Sequence, residues 1–157
     1  MSKSKKHFIL FILLSLLWTA FIFSNSLKNA DESSADSDRV VVFVEKAANL
    51  LGIDINEAQE DTIAGIIREL AHAFEFSVLG LLTYITVNSI TNRKKILISL
   101  FYPMAVAIGD ELIQLGSLGR SAQVSDVLID TLGAIVAVLI IYLMSKRTKK
   151  SKKIIEK

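Results

Sequence analysis

Hydrophobic residues fill four long stretches of the chain in which Asp, Glu, Lys and Arg are absent. A membrane core about 30 Å thick needs roughly 20 helical residues to cross it. The first stretch is long enough by itself, and the other three become long enough when the polar residues at one end of each are included. The pattern predicts an all-α polytopic membrane protein. The charge-free stretches are residues 7–27, 76–92, 96–109 and 131–145, and the four predicted transmembrane helices are about 7–27, 70–92, 96–115 and 127–145.

The first stretch can also be interpreted as a cleavable signal peptide. Three lysines precede it, and the small residues Ser24 and Ser26 follow its apolar core. The apolar core of a signal peptide usually spans about 7–15 residues, whereas this stretch is longer. We therefore expect a transmembrane helix that is retained.

The segment between the first two stretches is predicted to contain short amphipathic helices. Residues 27–38 are rich in Ser and Asp and predict a loop. Apolar residues then recur with helical spacing from Val40 to Leu51, and Gly52 is a typical stop. Asp54, with Glu57 three residues later, predicts a second helix start and a helix that continues into the second transmembrane span. We expect these helices to lie on the outer membrane surface.

The distribution of basic residues predicts the orientation of the chain. Thirteen of the 18 Lys and Arg residues lie in three segments, namely residues 3–6, the connection 93–95 and the tail 146–157. Short loops rich in Lys and Arg stay in the cytoplasm, so we expect both termini on the cytoplasmic side of the cell membrane. A basic tail can also bind nucleic acid, but one that directly follows a span indicates topology and contact with anionic lipid. We expect membrane lipids as partners and no nucleic acid.

Ionisable residues form the outer ends of the last three predicted helices. Such residues avoid lipid and point into the helix bundle or a water-filled cavity. Residues three or four positions apart share a helix face, which places His72 and Glu75 on one stripe. We expect a mostly acidic pocket near the outer surface, where Glu75, Glu111 and Asp130 converge with Arg120. Its predicted members are Arg68, His72, Glu75, Asp110, Glu111, Gln114, Arg120, Asp126 and Asp130.

Three segments resemble the motifs of the VanZ-like family. They are FSNS at 23–26, IIRELAHAFEFSVLG at 66–80 and GDELIQLGSLGRSAQVSDVLIDTLGA at 109–134. The resemblance implies a single VanZ-like membrane domain over residues 1–157. It also implies a role in lowering susceptibility to teicoplanin-type glycopeptide antibiotics. The family's motif residues match this sequence at all the pocket residues except Asp130, and at Gly133. Asp130 stands where Asn is common in the family, and it adds a carboxylate to the acidic pocket.

The acidic residues also raise the question of a metal ion. His72 and Glu75 share a helix face, with Glu111 and Asp130 expected nearby, and an acid-rich site of this kind suits Mg²⁺, Mn²⁺ or Ca²⁺ better than Zn²⁺. The alternative is a network of ion pairs that fixes the order of the helices. We expect no cofactor and no metal, and we keep His72, Glu75 and Glu111 as the candidate ligands.

The functional class stays open between three alternatives. The first is the envelope protein that the resemblance implies, with a lipoglycopeptide antibiotic or a lipid-linked cell-wall precursor as partner. The second is an intramembrane hydrolase or transferase on a lipid-linked substrate, with Glu75 and Glu111 as general acid and base. No nucleophile motif supports it, so catalytic residues are not assigned. The third is an assembly partner or a small permease, although polar residues are few in the cytoplasmic halves of helices two to four. Arg120 either binds an anionic head group or pairs with Asp110, Glu111 or Asp126.

Overall fold

The protein is a bundle of long α-helices in the computed structural model, which describes residues 3–89, 94–120 and 123–155. Side chains are described for residues 5–89, 94–120 and 123–148. Within these ranges there are five helices and no strand. They are α1 (Lys3–Ser26), α2 (Ala30–Leu50), α3 (Glu57–Asn88), α4 (Lys95–Gln114) and α5 (Val124–Ile155).

Four of the described helices are long and apolar enough to cross a membrane. The spans lie at Lys5–Ser26, Glu57–Asn88, Lys95–Gln114 and Val124–Thr148. Each contains most of one charge-free stretch, so the predicted all-α fold with four membrane helices is confirmed. Residues 90–93, which include the predicted end of the second span and Arg93, lie outside the described residues.

The predicted loop at 27–38 is wrong, because α2 already begins at Ala30. Asn29 caps this helix, its side chain accepting a hydrogen bond from the Glu32 N–H at 2.8 Å, while the Glu32 carboxylate accepts from the Asn29 N–H. Asp31 and Glu32 also complement the positive end of the helix dipole. Most of the Ser and Asp residues therefore lie on the exposed side of a 21-residue helix, whereas Ser37 is buried and Ser33 half-buried. Its end agrees with the prediction, because Gly52 follows with φ +74°.

The start of α3 lies two residues beyond the predicted position. Asn56 and Gln59, not Asp54 and Glu57, form the capping box, with hydrogen bonds of 3.0 Å and 2.9 Å between side chain and backbone. From there α3 continues for 32 residues into the second span, as predicted. At 1.5 Å per residue it measures about 48 Å, longer than a membrane core. Its first turns therefore extend beyond the apolar layer.

The helix α3 is central and packs against each of the other four helices. Small residues allow its closest approach to α5. A Cβ atom on Gly80 would lie 2.9 Å from the Ala134 carbonyl oxygen, and one on Gly133 would overlap the carbonyl oxygen of Ala73. The Ser77 hydroxyl donates to the Gly133 carbonyl at 2.9 Å. Small residues and hydroxyl groups are typical of membrane helix contacts, where backbones must approach closely.

An apolar core holds α1 and α4 against α3. Its buried members are Ile22, Phe76, Leu79, Val106 and Ala107. Near it the Thr19 and Tyr102 hydroxyl groups share a hydrogen bond of 2.9 Å. This packing brings the ends of α1 and α4, the start of α5 and the middle of α3 together at one end of the bundle, which we call the polar end.

Candidate functional site

The polar end contains charged side chains that are removed from solvent within the bundle. Asp110 is 0% exposed and Asp130 is 1% exposed, and Glu111 and Gln114 are also buried. His72, Glu75, Arg120 and Asp126 are half-buried, and Arg68 is exposed. Charges are almost never fully buried unless they are paired or bound to a ligand. The partners of each group therefore decide what the site can do.

Asp110 is held by hydrogen bonds from two helices. The Ser26 hydroxyl at the end of α1 donates to Asp110 Oδ1, and Gln114 Nε2 donates to Asp110 Oδ2 at 2.8 Å. The Ser117 hydroxyl donates in turn to the Ser26 carbonyl at 2.9 Å. The Asp110 carboxylate is thus fixed in orientation and links the first membrane helix to the third.

Glu75 is positioned by the same end of α1. Asn25 Nδ2 donates to Glu75 Oε1 at 2.8 Å, and Trp18 Nε1 donates to the Glu75 carbonyl at 2.8 Å. Phe23 packs against Gly109, where an added Cβ would lie 3.3 Å from its ring. The segment FSNS at 23–26 therefore holds α3 and α4 through three of its four residues.

Several buried polar atoms at the polar end have no hydrogen-bond partner among the described residues. Glu111 accepts a hydrogen bond at Oε2 from the Gln123 N–H at 2.8 Å, but its Oε1 has none. Both oxygens of Asp130 are unpartnered, as are His72 Nδ1 and Glu75 Oε2. Nearly all buried polar groups in proteins have a partner. These atoms are therefore free to bind a further group.

One trio of these residues has the spacing of a metal site. His72, Asp110 and Asp130 each offer a ligand atom, and the three atoms lie within 4.8 Å of one another. Two of the ligands considered from the sequence, Glu75 and Glu111, do not belong to this group. Asp130 still interacts electrostatically with both of them.

A cavity of about 210 Å³ adjoins the polar end between α2 and α3. Among its lining residues are Lys28, Asp36, Arg68, His72, Glu75 and Arg120. A second, mostly polar cavity of about 110 Å³ shares Arg68 and Arg120 and also includes Gln114 and Asp126. Both arginines therefore lie where the two cavities meet.

The arginines are not neutralised by ion pairs with the described side chains. The ion pairs within 4.0 Å in the described part of the chain join Asp36 to Lys28 at 2.7 Å and to Arg39 at 3.5 Å. Of the two alternatives for Arg120, the pairing with Asp110, Glu111 or Asp126 is absent there. Lys28, which hydrogen bonds Asp36, lowers the pKa of that carboxyl below its ordinary value. Asp36 is thus committed to Lys28, and the guanidinium groups of Arg68 and Arg120 remain available to an anion.

Sequence reasoning missed three groups that hold the site, namely the Asn25 and Ser26 side chains and the Gln123 N–H. Asn25 and Ser26 lie in the last turn of α1, after the mostly apolar residues 8–23. Polar side chains at that position were a usable signal, because a membrane helix tolerates them best where they meet other polar groups. The backbone of Gln123 carried no such signal.

Comparison with known proteins identifies one family. The model of the VanZ/LLP1 family matches residues 11–145, from within α1 to within α5. No curated protein and no solved structure matches the chain. The matched range includes FSNS and both motif blocks that hold the polar end. The chain therefore belongs to the VanZ/LLP1 family.

Proposed function

We propose that the protein binds an anionic amphiphile at the outer leaflet of the cell membrane and thereby lowers susceptibility to teicoplanin-type glycopeptides. The observation that supports this most directly is the position of Arg68 and Arg120. Both line the cavity between α2 and α3, and neither has an ion pair among the described residues. Guanidinium groups bind carboxylates and phosphates with two parallel hydrogen bonds. An anionic head group therefore suits this cavity.

The proposed ligand carries an apolar tail as well as an anionic group. Teicoplanin has a lipid tail that holds it at the membrane, and vancomycin has none. A lipid-linked cell-wall precursor offers the same combination of phosphate and lipid. Either ligand would present its charged part to the arginines while its tail stays in the apolar layer beside α2 and α3.

We expect expression of the protein in a susceptible Gram-positive host to raise tolerance to teicoplanin more than to vancomycin. Arg120→Ala and Glu75→Ala should abolish the effect. Arg39→Ala should keep it, because Arg39 is an exposed arginine on α2 that does not line this cavity. The minimum inhibitory concentrations of both antibiotics are the readout, with membrane levels of each variant matched. Tolerance that survives Arg120→Ala would contradict the proposal.

The ligand can be identified with the purified protein. Loss of one charge-assisted hydrogen-bonded contact costs about 1.5–3 kcal/mol, so Arg120→Ala should weaken binding about 10–100-fold. Teicoplanin and a lipid-linked precursor in nanodiscs are the two probes, with Arg39→Ala again as control. The folded protein should be almost unaffected, because Arg120 has no ion pair to lose among the described residues and such substitutions usually stay within about 0.5 kcal/mol.

The proposal requires the polar end to face outward and both termini to be cytoplasmic. The chain has no cysteine, so single cysteines report orientation directly. Ser34 on α2 and Thr148 near the end of α5 are both exposed. A membrane-impermeant thiol reagent added to intact cells should label Ser34→Cys and leave Thr148→Cys unlabelled until the cells are opened. The reverse pattern would overturn the orientation.

A second candidate function is an intramembrane hydrolase or transferase on a lipid-linked envelope substrate. The unpartnered buried oxygens of Glu75, Glu111 and Asp130 favour it, because buried carboxyl groups can serve as general acids and bases. The two functions differ in one measurement. Turnover of a lipid-linked substrate that Glu75→Gln abolishes without weakening binding would favour the enzyme.

A further inference from the structure

We propose that His72, Asp110 and Asp130 form a binding site for one divalent transition-metal cation, such as Mn²⁺ or Zn²⁺. Their ligand atoms lie within 4.8 Å of one another. Bonds of about 2.0–2.2 Å from one cation place its ligand atoms at most about 4.4 Å apart. Side-chain shifts of about 1 Å or less therefore complete the coordination. The three ligands come from α3, α4 and α5, which are packed together at this point.

The second observation is the state of Asp130. This side chain is 1% exposed, and neither of its oxygens has a hydrogen-bond partner in the described part of the chain. It interacts with the carboxylates of Asp110, Glu111, Asp126 and Glu75, all of the same charge. A carboxylate buried without a counter-charge is strongly unfavourable. A divalent cation between Asp110 and Asp130 would supply that charge.

The other two ligands are suited to the same cation. Ser26 and Gln114 each donate one hydrogen bond to Asp110, and each carboxylate oxygen keeps a further lone pair for a metal. Such outer hydrogen bonds orient metal ligands in known sites. His72 adds an imidazole, and its buried Nδ1 has no partner among the described residues.

The ligand set also indicates the class of cation. The sequence suggested three carboxylates beside His72, an acid-rich set that favoured Mg²⁺, Mn²⁺ or Ca²⁺, whereas the trio has two. Mg²⁺ and Ca²⁺ prefer oxygen ligands alone, and an imidazole with two carboxylates suits first-row transition metals. Three protein ligands leave at least one coordination position open. His72 also lines the cavity that contains Arg68 and Arg120. The cation would therefore lie beside the proposed anion site, although the metal site stands without that proposal.

The test uses the full chain, purified in detergent and stripped with EDTA. Titration calorimetry with MnCl₂ and with ZnCl₂ should show one cation per chain for at least one of the two metals. Loss of a ligand in Asp130→Asn or His72→Gln should weaken binding at least about 100-fold, and loss of the outer hydrogen bond in Ser26→Ala about 10-fold. Glu69→Gln is the matched control, since this carboxylate lies on α3 one turn before His72 and outside the trio. It should bind as the wild type does.

A stability measurement separates loss of binding from loss of folding. In EDTA, Asp130→Asn should melt at the same temperature as the wild type or higher, because a buried repelling charge is removed. With the metal present, the wild type should gain thermal stability and Asp130→Asn should not. The proposal is overturned if neither metal binds the wild type more tightly than Asp130→Asn, or if the metal stabilises both proteins equally. Neither readout depends on antibiotic tolerance, so this proposal and the proposed function can fail separately.

Discussion

Gly133→Ala is expected to destabilise the protein by about 2–3 kcal/mol, in the range of overpacked cores. The added Cβ would overlap the carbonyl oxygen of Ala73, a backbone atom that cannot rotate away. The Ser77 hydroxyl lies 2.7 Å from that carbonyl oxygen and 2.9 Å from the Gly133 carbonyl oxygen, so its single proton is shared between them. The helices α3 and α5 would have to separate, and their contact is the most extensive in the bundle. The separation would also move Asp130, one turn before Gly133, away from α3.

Gly65→Ala is the matched control, because it makes the same substitution inside α3 where a Cβ meets nothing within 4 Å. Ala exceeds Gly in helix propensity by about 1 kcal/mol. The control should therefore leave stability unchanged or raise it by up to about that amount. Unfolding in detergent, followed by circular dichroism, measures both variants. Equal stability of the two would show that α3 and α5 are not in close contact at Gly133.

Asp110→Leu is expected to cost about 2–4 kcal/mol of stability, because the buried Gln114 amide loses its acceptor at about 1–3 kcal/mol and the bond from Ser26 to α4 is lost at about 1 kcal/mol. The Ser26 hydroxyl keeps one acceptor, the Ile22 carbonyl at 3.1 Å. The donors are the Ser26 hydroxyl and the Gln114 amide. Relief of the repulsion between Asp110 and Asp130 offsets part of this cost. The loss should predominate, since the Ser26 bond joins α1 to α4 across 84 residues of sequence.

Asp110→Asn distinguishes the hydrogen bonds from the charge. Asn has nearly the same volume and can still accept one of the two hydrogen bonds, but it carries no charge. In EDTA its stability should lie close to that of the wild type, with Asp110→Leu far below both. If the Leu and Asn variants unfold at the same temperature, the hydrogen bonds to Asp110 contribute nothing to stability.

The four membrane helices could be predicted from the sequence because the membrane imposes a simple condition. A segment in hydrocarbon must be apolar over a fixed length and must satisfy its own backbone hydrogen bonds. Both requirements are local, so the charge-free stretches coincide with α1, α3, α4 and α5. The continuation of α3 from the surface into the second span could be predicted for the same reason, because it also depends on neighbouring residues alone.

Local reasoning was less accurate outside these stretches. The Ser and Asp residues at 31–38 predicted a loop, but they belong to α2, where most of them are exposed. Composition reports solvent exposure as well as backbone shape. Asn29 decided the outcome through its capping box with Glu32. At the start of α3 the sequence contains two possible capping pairs, Asp54 with Glu57 and Asn56 with Gln59. The structure uses the second pair.

The sequence by itself determined which residue types reach the polar end, because helical spacing and membrane depth assign the ionisable groups to one end of α3, α4 and α5. Only the tertiary structure decided which atoms meet. Asn25 reaches Glu75 across 50 residues of sequence, and Arg120 makes none of the three ion pairs considered for it within the described part of the chain. The trio with the spacing of a metal site joins Asp110 to His72 and Asp130, and Glu75 and Glu111 do not belong to it. Such pairings depend on how each helix is rotated about its axis. Contacts between distant residues, such as Gly133 against Ala73, set that rotation. The helical periodicity of the sequence does not determine it.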